Sequence, residues 1–291
     1  MIDLSWQAGL DETGGTEVRA LASAAALADG SAPLSDEVLL HLRGDEVAHL
    51  MARSGDDLVG FAHLDAAGGG ELVVHPAHRR AGLGTRLAEA VLERAASVRL
   101  WAHGEHPGAV AIADHLGLSR VRELWQMHLD MPDAPPAAAL PDGVRLRPFV
   151  VGVDETEFLR VNNAAFDWHP EQGGWDVEQV RMRQGEPWFD PAGFLLAVTS
   201  ENRLLGYHWT KVHTEPERIG EVYVLGVDPA AQGTGLGAVL TIAGLRHLHA
   251  RGLRQVLLYV ESDNEAAVRV YRKLGFTLRH TDVLFARRDT V

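Results

Sequence analysis

The most constraining feature of this 291-residue chain is a pattern that occurs twice, in the same order and at a nearly constant separation. Three matches carry it: Pro76-Ala77 and Gly82-Leu83-Gly84 with Pro229-Ala230 and Gly235-Leu236-Gly237, Leu116-Gly117-Leu118 with Leu274-Gly275-Phe276, and Gly60 with Gly206. The separations are 153, 158 and 146 residues, whereas solenoid repeats are only about 20–50 residues long. The pattern therefore predicts one domain fold duplicated in tandem.

A segment rich in proline and alanine separates the two copies. Residues 131–143 contain four prolines and no periodic apolar pattern, which is typical of a semi-rigid linker. The sequence thus predicts an N-terminal domain at residues 1–130, a linker at 131–143 and a C-terminal domain at 144–291.

Each copy contains the same predicted series of elements: a strand, a proline turn, a glycine-rich loop, an amphipathic helix, a second strand, and a helix that ends at Leu-Gly. The predicted strands are 71–74 and 98–101 in the first copy, and 221–227 and 256–260 in the second. Apolar residues spaced by three and four predict the first helix of each copy, at Leu83, Leu87 and Val91 and at Leu236, Val239, Leu240 and Ala243. Alternating strands and helices predict a mixed α/β sheet in each domain.

Composition excludes several classes of function. Forty acidic against 27 basic residues give a net charge of −13, which argues against a nucleic acid partner. The absence of cysteine excludes disulfides, thiolate zinc sites and a cysteine nucleophile. The histidines do not form the helical His-Glu-x-x-His motif, so no metal is expected. Without a long apolar run or a secretory signal, we expect a cytoplasmic protein that binds no membrane, and we expect it to be a monomer.

The glycine-rich loops suit a phosphate ligand. A loop of this kind between a strand and a helix lets the backbone approach a pyrophosphate, which the N–H groups of the helix N-terminus can bind. A nucleoside triphosphate loop would need Gly-Lys-Ser or Gly-Lys-Thr, and neither copy has it. A dinucleotide fold would need the loop after its first strand and an acidic residue about 20 residues later. Here the loop lies in the middle of the domain, and the region that follows Gly237 supplies no acidic residue.

The remaining phosphate-binding pattern, Arg/Gln-x-x-Gly-x-Gly/Ala, occurs at residues 79–84 and 232–237. It resembles the acyl-coenzyme A loop of the GNAT superfamily of N-acetyltransferases, and residues 264–267 and 270–276 resemble the helix that follows in that superfamily. The resemblance implies two tandem GNAT domains that use acetyl-coenzyme A, one molecule for each domain. The coenzyme contacts that it implies are Leu225, Gly226, Val227, Gln232, Gly233, Thr234, Gly235, Leu236, Gly237, Ala238, Asn264, Glu265, Ala266, Ala267, Val268 and Arg269 in the second copy, and Leu72, Val73, Val74, Arg80, Ala81, Gly82, Leu83, Gly84 and Thr85 in the first.

Candidate catalytic residues occur in the second copy. Strand alternation predicts that Glu221, Tyr223, Leu225 and Val227 share one face, which makes Glu221 a candidate general base for an amine. Gly226 predicts a β-bulge that could free an N–H for the acetyl carbonyl. The resemblance implies that Tyr271 is the acid that protonates the leaving thiolate.

The first copy serves as an internal control. The repeat offsets place Gly68 and Ala113 where the second copy has Glu221 and Tyr271. We therefore expect the first domain to bind acyl-coenzyme A, or to help form the substrate cleft, without transferring acetyl.

Further segments resemble one tandem member of this superfamily over nearly the whole chain: residues 159–166, 169–175, 188–191, 208–213 and 258–264. That resemblance implies direct acetyl transfer, in a ternary complex, to the cysteinyl α-amine of a cysteinyl-glucosaminyl-inositol. The substrate contacts that it implies are Asp36, Glu171, Lys211, Glu221 and Tyr259, with Glu37 as an alternative to Asp36. Two other functions stay open on the residues alone: acetylation of another small-molecule or peptide amine, and non-enzymatic sensing of acyl-coenzyme A.

Overall fold

The computed structural model describes residues 2–44, 47–95, 97–169, 172–214 and 218–288. Within them the chain forms two compact units. The first unit comprises the chain up to Gln126 together with 261–263 and the residues from Arg279 onwards. The second comprises 127–260 and 264–278.

The first unit is built on a mixed sheet. Its strands are β1 (Ile2–Ala8), β2 (Ala48–Ser54), β3 (Asp57–Leu64), β4 (Gly69–Val74), β5 (Arg99–Ala102), the part of β6 (Ser119–Asp130) before Met127 and the part of β12 (Thr277–Ala286) from Arg279. Strands β1 to β4 are consecutive antiparallel neighbours, β4 pairs in parallel with β5, and β5 pairs antiparallel with β12.

Helices cover both faces of this sheet. They are α1 (Glu12–Asp29), α2 (Asp36–Leu40), α3 (Leu83–Arg94) and α4 (Pro107–His115). The predicted stripe of α3 is confirmed, because Leu83, Leu87 and Val91 are all buried in one apolar cluster. A second cluster packs the buried face of α1, including Val18 and Leu21, against the other side of the strands.

The second unit repeats this plan. Its strands are the part of β6 from Met127, β7 (Arg145–Pro148), β8 (Phe194–Val198), β9 (Leu204–His213), β10 (Ile219–Val227) and the part of β11 (Gln255–Glu261) before Glu261. Its helices are α5 (Glu155–Ala165), α6 (Val177–Gln184), α7 (Leu236–Ala250) and α8 (Glu265–Lys273). Strands β7 to β10 are antiparallel neighbours, and β10 pairs in parallel with β11.

One face of the second sheet is aromatic and the other is aliphatic. Phe158, Phe194, Tyr207 and Trp209 form a buried cluster on the side of α5. Leu236 and Leu240 of α7 lie in a separate aliphatic cluster. The predicted stripe on α7 is correct for these two leucines but not for Val239 and Ala243, which are only half-buried. Thr241 and Gly244 are buried instead, because residues three and four apart share a helix face and both lie in line with Leu240 and Leu248 on the buried face of α7.

The mixed α/β architecture of two similar units confirms the predicted fold class. Residues 131–143 contain no helix or strand, and their role as a linker stays a prediction. Gly117 and Gly275 follow α4 and α8 in the left-handed conformation, with φ of 68° and 96°. The compact units differ from the predicted sequence domains: residues 261–263 and the described residues from Arg279 onwards belong to the first unit, and residues 127–143 belong to the second.

In both units the parallel pairing stops before its strands end. The β4–β5 ladder joins Gly69–Glu71 to Arg99–Trp101, although β4 continues to Val74. The β10–β11 ladder joins 220–222 to 256–258, although β10 continues to Val227. Each unit thus has a stretch of strand beyond the described ladder, at the point where the chain turns into its glycine-rich loop.

Candidate functional site

The two glycine-rich loops have the same backbone shape. Gly233 and Gly235 have φ of 78° and 84°, and the corresponding Arg80 and Gly82 have φ of 62° and 79°. Gly82 and Gly235 are the N-cap residues of α3 and α7, and neither helix has a side-chain cap. Because no side chain of the N-cap residue accepts their first N–H groups, both helices can offer these donors to an anion.

The first residue of each loop holds the loop to the preceding strand. Arg79 Nε donates to the carbonyl of Val74 at 3.0 Å, and Gln232 Nε2 donates to the carbonyl of Val227 at 3.3 Å. Arg79 also forms a bidentate ion pair with Asp29, at 2.7 and 2.8 Å. The charge of Arg79 is therefore engaged within the protein, and Arg80, which is exposed, is the basic residue that the loop can offer to a ligand.

A cavity of about 300 Å³ opens beside the loop of the first unit. Its walls are the part of β4 beyond the ladder, the loop, the start of α3 and the face of α4: Leu72, Val73, Val74, Arg80, Gly82, Gly84, Thr85, Ile112 and Ala113 are among the lining residues. Seven of the nine coenzyme contacts predicted for this half thus line one cavity; Ala81 and Leu83 lie in the same turn.

In the second unit the predicted coenzyme contacts come from three elements. Residues 225–227 lie beyond the β10–β11 ladder, 232–238 form the loop and the first turn of α7, and 264–269 start α8. Asn264 caps α8 by accepting a hydrogen bond from Ala267 N at 3.1 Å. Glu265 on the first turn of the helix and Arg269 one turn later form an exposed ion pair at 3.4 Å.

A β-bulge in β10 changes which residues share a face. The register with β9 shifts between Val222 and Val224, so the bulge lies at Tyr223 and not at Gly226 as predicted. The extra residue reverses the alternation beyond it. Leu225 consequently packs in the α7 cluster, while Tyr223 packs in the aromatic cluster on the opposite face. The predicted common face is therefore wrong for Leu225 and Val227, which lie on the side opposite Tyr223.

Gly226 has a different reason for being glycine. A Cβ atom at this position would lie 2.7 Å from both Cε1 and the hydroxyl oxygen of Tyr207. Tyr207 is fully buried, and its hydroxyl donates to Asn162 Oδ1 at 2.6 Å. The glycine thus leaves room for a fixed aromatic ring.

Glu221 lies just before the bulge and is buried, with 4% of its surface exposed. Lys211 is its direct partner on β9. His213, two residues further along β9, places Nε2 2.6 Å from Glu221 Oε2. The structure therefore brings together two residues predicted from the sequence, Glu221 and Lys211, and adds a histidine that the sequence did not single out.

Aromatic rings hold the cation of Lys211. Its Nζ lies 4.8 Å from the ring centroid of Trp188 and 5.5 Å from that of Tyr223. Arg183 of α6 donates from Nε to the hydroxyl of Tyr223 at 3.0 Å, and its guanidinium stacks 4.1 Å from the ring of Trp175. The side of the sheet that carries Glu221 therefore has two cations, Lys211 and Arg183, each packed against aromatic rings.

Tyr271 lies on α8 and is buried, with its ring 5.8 Å from that of Phe276. Burial disfavours the phenolate and raises the pKa of Tyr271 to about 12. The side chain is therefore protonated at neutral pH, as a proton donor must be.

The other predicted substrate contacts that the structure describes lie on other secondary-structure elements. Tyr259 is on β11 and is exposed. Asp36 is the first residue of α2 in the first unit and is also exposed, as is Glu37. Glu171 lies outside the described residues.

The first unit contains an acidic residue that the repeat offsets missed. The parallel register makes Gly69, not Gly68, the equivalent of Glu221, because the bulge adds one residue to β10. Two residues along β4, Glu71 is buried and accepts a hydrogen bond from Ser35 N at 2.7 Å. Its Oε2 lies 3.3 Å from Nε2 of His103, a cavity-lining residue.

His103 is held between two carboxylates. Its Nδ1 donates to Asp282 Oδ2 at 2.9 Å, and Asp282 Oδ1 accepts from Gly104 N at 2.7 Å. Burial opposes the charge of His103, but Glu71 and Asp282 raise its pKa well above the ordinary value. Burial likewise opposes the charge of Glu71, and His103 lowers the pKa of that carboxyl group. Both carboxylates are thus occupied within the unit.

Sequence reasoning missed His213, Arg183 and the Glu71–His103 pair. For His213 a signal was available, since residues i and i+2 of a strand share a face and Lys211 was already a candidate. The Glu71–His103 pair had no such signal, because Glu71 lies on β4 and His103 lies in the turn after β5, far apart in the sequence.

Two absences concern the described residues. None of their His, Asp and Glu side chains form a group of three or more that could hold a metal ion. In the same part of the chain, every helix is too short or too polar to cross a membrane.

Comparison with known proteins identifies the family. The model of the acetyltransferase (GNAT) family matches residues 17–117 and 162–276. The curated relatives include proteins named mycothiol acetyltransferase. The one from Actinosynnema mirum is 50% identical, over 98% of this chain and 100% of its own. The one from Thermobispora bispora is 52% identical, over 93% of this chain and 95% of its own.

Solved structures agree on the fold. A tandem GNAT protein from the clavulanic acid biosynthesis pathway superimposes with a TM-score of 0.78 at 22% identity, over 98% of both chains. A GCN5-related N-acetyltransferase from Sphaerobacter thermophilus gives a TM-score of 0.71 at 25% identity, over 97% of this chain and 95% of its own. The chain therefore belongs to the acetyltransferase (GNAT) family, whose members use acetyl-coenzyme A, alongside the proteins named mycothiol acetyltransferase.

Proposed function

We propose that this protein transfers acetyl from acetyl-coenzyme A to the cysteinyl amine of cysteinyl-glucosaminyl-inositol, the last step of mycothiol synthesis. One observation carries the proposal: a buried carboxylate, Glu221, precedes the stretch of β10 that leads into the glycine-rich loop of the second unit. The identity of about half of all residues with proteins named mycothiol acetyltransferase supports this choice of acceptor.

Glu221 is the proposed general base. The α-amine of a cysteinyl group has a pKa near 8, so most of it is an ammonium at neutral pH. Its proton must leave before nitrogen can attack the thioester. A carboxylate positioned directly or through one water can accept that proton.

Tyr271 is the proposed acid, and the backbone of β10 is the proposed support for the acetyl carbonyl. Residues 223–227 lie beyond the β10–β11 ladder, so N–H groups of this stretch can point to a carbonyl oxygen that gains negative charge during attack. Tyr271, whose pKa is raised to about 12 by burial, then donates its proton to the departing thiolate. No cysteine exists to form an acyl-enzyme, which supports direct transfer within a ternary complex.

The proposed substrate contacts are Asp36, Glu171, Lys211, Glu221 and Tyr259. Lys211 supports this set best, because its ammonium group is already oriented by Trp188 and Tyr223 beside the base. A fixed cation can donate hydrogen bonds to the hydroxyls of a sugar conjugate at little entropic cost. The cytoplasmic location, the monomeric state and the absence of a nucleic acid partner stay predictions.

We further propose that each unit binds one acetyl-coenzyme A, and that the first does not transfer acetyl. The cavity beside the first loop supports binding. The occupied carboxylate of Glu71 supports the lack of transfer, since a base that is bound to Ser35 N and paired with His103 is not available to an amine.

Mass spectrometry of the product tests the main proposal. Incubation with acetyl-coenzyme A and cysteinyl-glucosaminyl-inositol should add one acetyl group to the cysteinyl nitrogen. Glucosaminyl-inositol without the cysteinyl group is the matched control and should stay unmodified. Faster acetylation of an unrelated amine, such as an aminoglycoside or a peptide N-terminus, would reassign the acceptor. No thiol release with any amine would indicate a sensor instead.

Equilibrium dialysis tests the two coenzyme sites. The wild-type chain should bind two acetyl-coenzyme A molecules, and Arg80→Glu should bind one with turnover unchanged. Arg86→Glu is a matched control, because it reverses an exposed charge on α3 one turn beyond the loop. Loss of turnover in a folded Arg80→Glu protein would contradict the proposal that the first unit is silent.

A further inference from the structure

Glu221, the proposed general base of the second unit, contacts a histidine that is partly exposed to solvent. His213 Nε2 lies 2.6 Å from Glu221 Oε2, and the two side chains differ in exposure, at 27% for His213 and 6% for Glu221. His213 is the last residue of β9, so its partly exposed ring lies at the end of the strand, while the carboxylate of Glu221 is buried.

A buried base needs such a partner. Each turnover that begins with an ammonium group transfers one proton to the base, and the carboxylate must lose this proton before the next cycle. In the part of the chain that the structure describes, the charged and titratable neighbours on the same side include Lys211, directly opposite on β9, Tyr223 on β10 and Arg183 on α6. Lysine and arginine in their charged forms are donors only and cannot accept a proton. On the β11 side the partner of Glu221 is Leu257, which has no titratable group.

We propose that His213 is a proton relay that connects Glu221 with bulk water. This inference rests on the proposed role of Glu221 as the base. The ammonium N–H bond breaks and an O–H bond forms on Glu221; that bond then breaks as the proton moves to Nε2 of the neutral imidazole. The imidazolium releases one proton to water. One proton has then passed from substrate to solvent, and both side chains have regained their initial charge.

The relay explains the geometry better than packing alone. A packing histidine would be fully buried against the backbone, as His208 is, with Nδ1 2.8 Å from the carbonyl oxygen of Leu240. His213 instead joins a buried carboxylate at one ring nitrogen and is partly exposed. Histidine is the side chain whose ordinary pKa lets it gain and lose a proton near neutral pH.

Three readouts on two variants test the relay. His213→Gln keeps a hydrogen-bond donor for Glu221 but cannot transfer a proton, and His213→Ala leaves space for an added imidazole. Both should lower kcat by about tenfold or more, with the KM for acetyl-coenzyme A nearly unchanged. Imidazole should restore turnover in His213→Ala, and the solvent deuterium isotope effect on kcat should rise in both variants. His115→Gln, at an exposed histidine of α4, is the matched control and should behave as wild type.

The outcomes separate the relay from the function itself. If wild type acetylates the cysteinyl substrate and His213→Gln turns over at the wild-type rate, the relay is wrong and the function stands. If His213→Ala is slow but imidazole does not restore it, His213 only positions Glu221 and the relay is wrong. If wild type acetylates no amine, the proposed function fails and the relay with it.

Discussion

Ala113 occupies in the first unit the helical position that Tyr271 occupies in the second. In each case the backbone carbonyl accepts a hydrogen bond from the N–H five residues later, from Leu118 at 2.9 Å and from Phe276 at 3.0 Å. The two helices therefore end with the same backbone hydrogen bond, and the side chain at this position is alanine in one and tyrosine in the other. A tyrosine hydroxyl is available to one unit, whereas the methyl group of Ala113 lines the cavity of the other.

Tyr271→Phe should lower kcat about a hundredfold, because phenylalanine fills the same space but cannot protonate the thiolate. The KM for acetyl-coenzyme A should change little. Steady-state kinetics with thiol detection measures both values. Phe276→Leu alters the adjoining ring without removing a proton donor and should stay close to wild type. An unchanged kcat in Tyr271→Phe would remove the tyrosine from the mechanism.

The pKa of Tyr271 gives a second, independent expectation. Because burial raises the pKa to about 12, the tyrosine stays protonated through the neutral and moderately alkaline range. Ultraviolet titration of the ligand-free protein should thus give equal phenolate absorbance for wild type and Tyr271→Phe up to about pH 11. A difference that appears at lower pH would show that the hydroxyl is not desolvated.

Glu221→Gln should lower kcat/KM for the amine by about a hundredfold or more, because the amide preserves shape and hydrogen bonding but cannot accept a proton. The loss should diminish as the pH rises and the substrate amine becomes neutral without help. Measurement of kcat/KM against pH tests this expectation. Glu201→Gln, at a fully exposed acidic residue of the same unit, is the control. A constant ratio of variant to wild type at all pH values would argue against a base.

His103→Gln should destabilise the protein by about 3–5 kcal/mol, because it leaves Glu71 and Asp282 buried without their cation. The pKa of His103 is raised in the folded state, so its contribution is full below its ordinary pKa of 6.5 and declines as the pH rises through the folded value. The pKa of Glu71 is lowered, so its contribution declines as the pH falls below its ordinary 4.5. Urea unfolding should therefore show the largest difference from wild type between these two values. An equal difference at pH 5.5 and pH 9 would contradict a charged pair.

Gly226→Ala should destabilise the second unit by about 1–3 kcal/mol, since the added methyl group overlaps the fixed ring of Tyr207. Thermal unfolding of the ligand-free protein measures the effect. Gly237→Ala is the matched control, because its Cβ would lie 3.8 Å from the nearest atom, Val227 Cγ2, in ordinary contact. Equal stability of both variants would mean that Tyr207 can move.

The repeat, the strands and the helices could be predicted because each is written in neighbouring residues. Prolines, glycines and apolar spacing determine where an element begins, ends and turns its apolar side, and these preferences act within a few residues. The glycine-rich loop is the strongest case: two of its positions have a left-handed backbone in both copies, and three of these four residues are glycine. The same local signals predicted that Glu221 and Tyr271 would have no counterparts in the first copy.

Only the tertiary structure decided which residues meet across strands. The bulge in β10 lies at Tyr223 and adds one residue to the strand. It places Leu225 on the opposite face from the one predicted and makes Gly69 the equivalent of Glu221. The Glu221–His213 pair depends on the β9–β10 register and the Glu71–His103 pair on the β4–β5 register, because a side chain reaches only the few positions that the ladder places near it. The sequence by itself determined the fold, the loops and the candidate base. The pairing of strands determined what surrounds that base, since a shift of one residue reverses every contact beyond it.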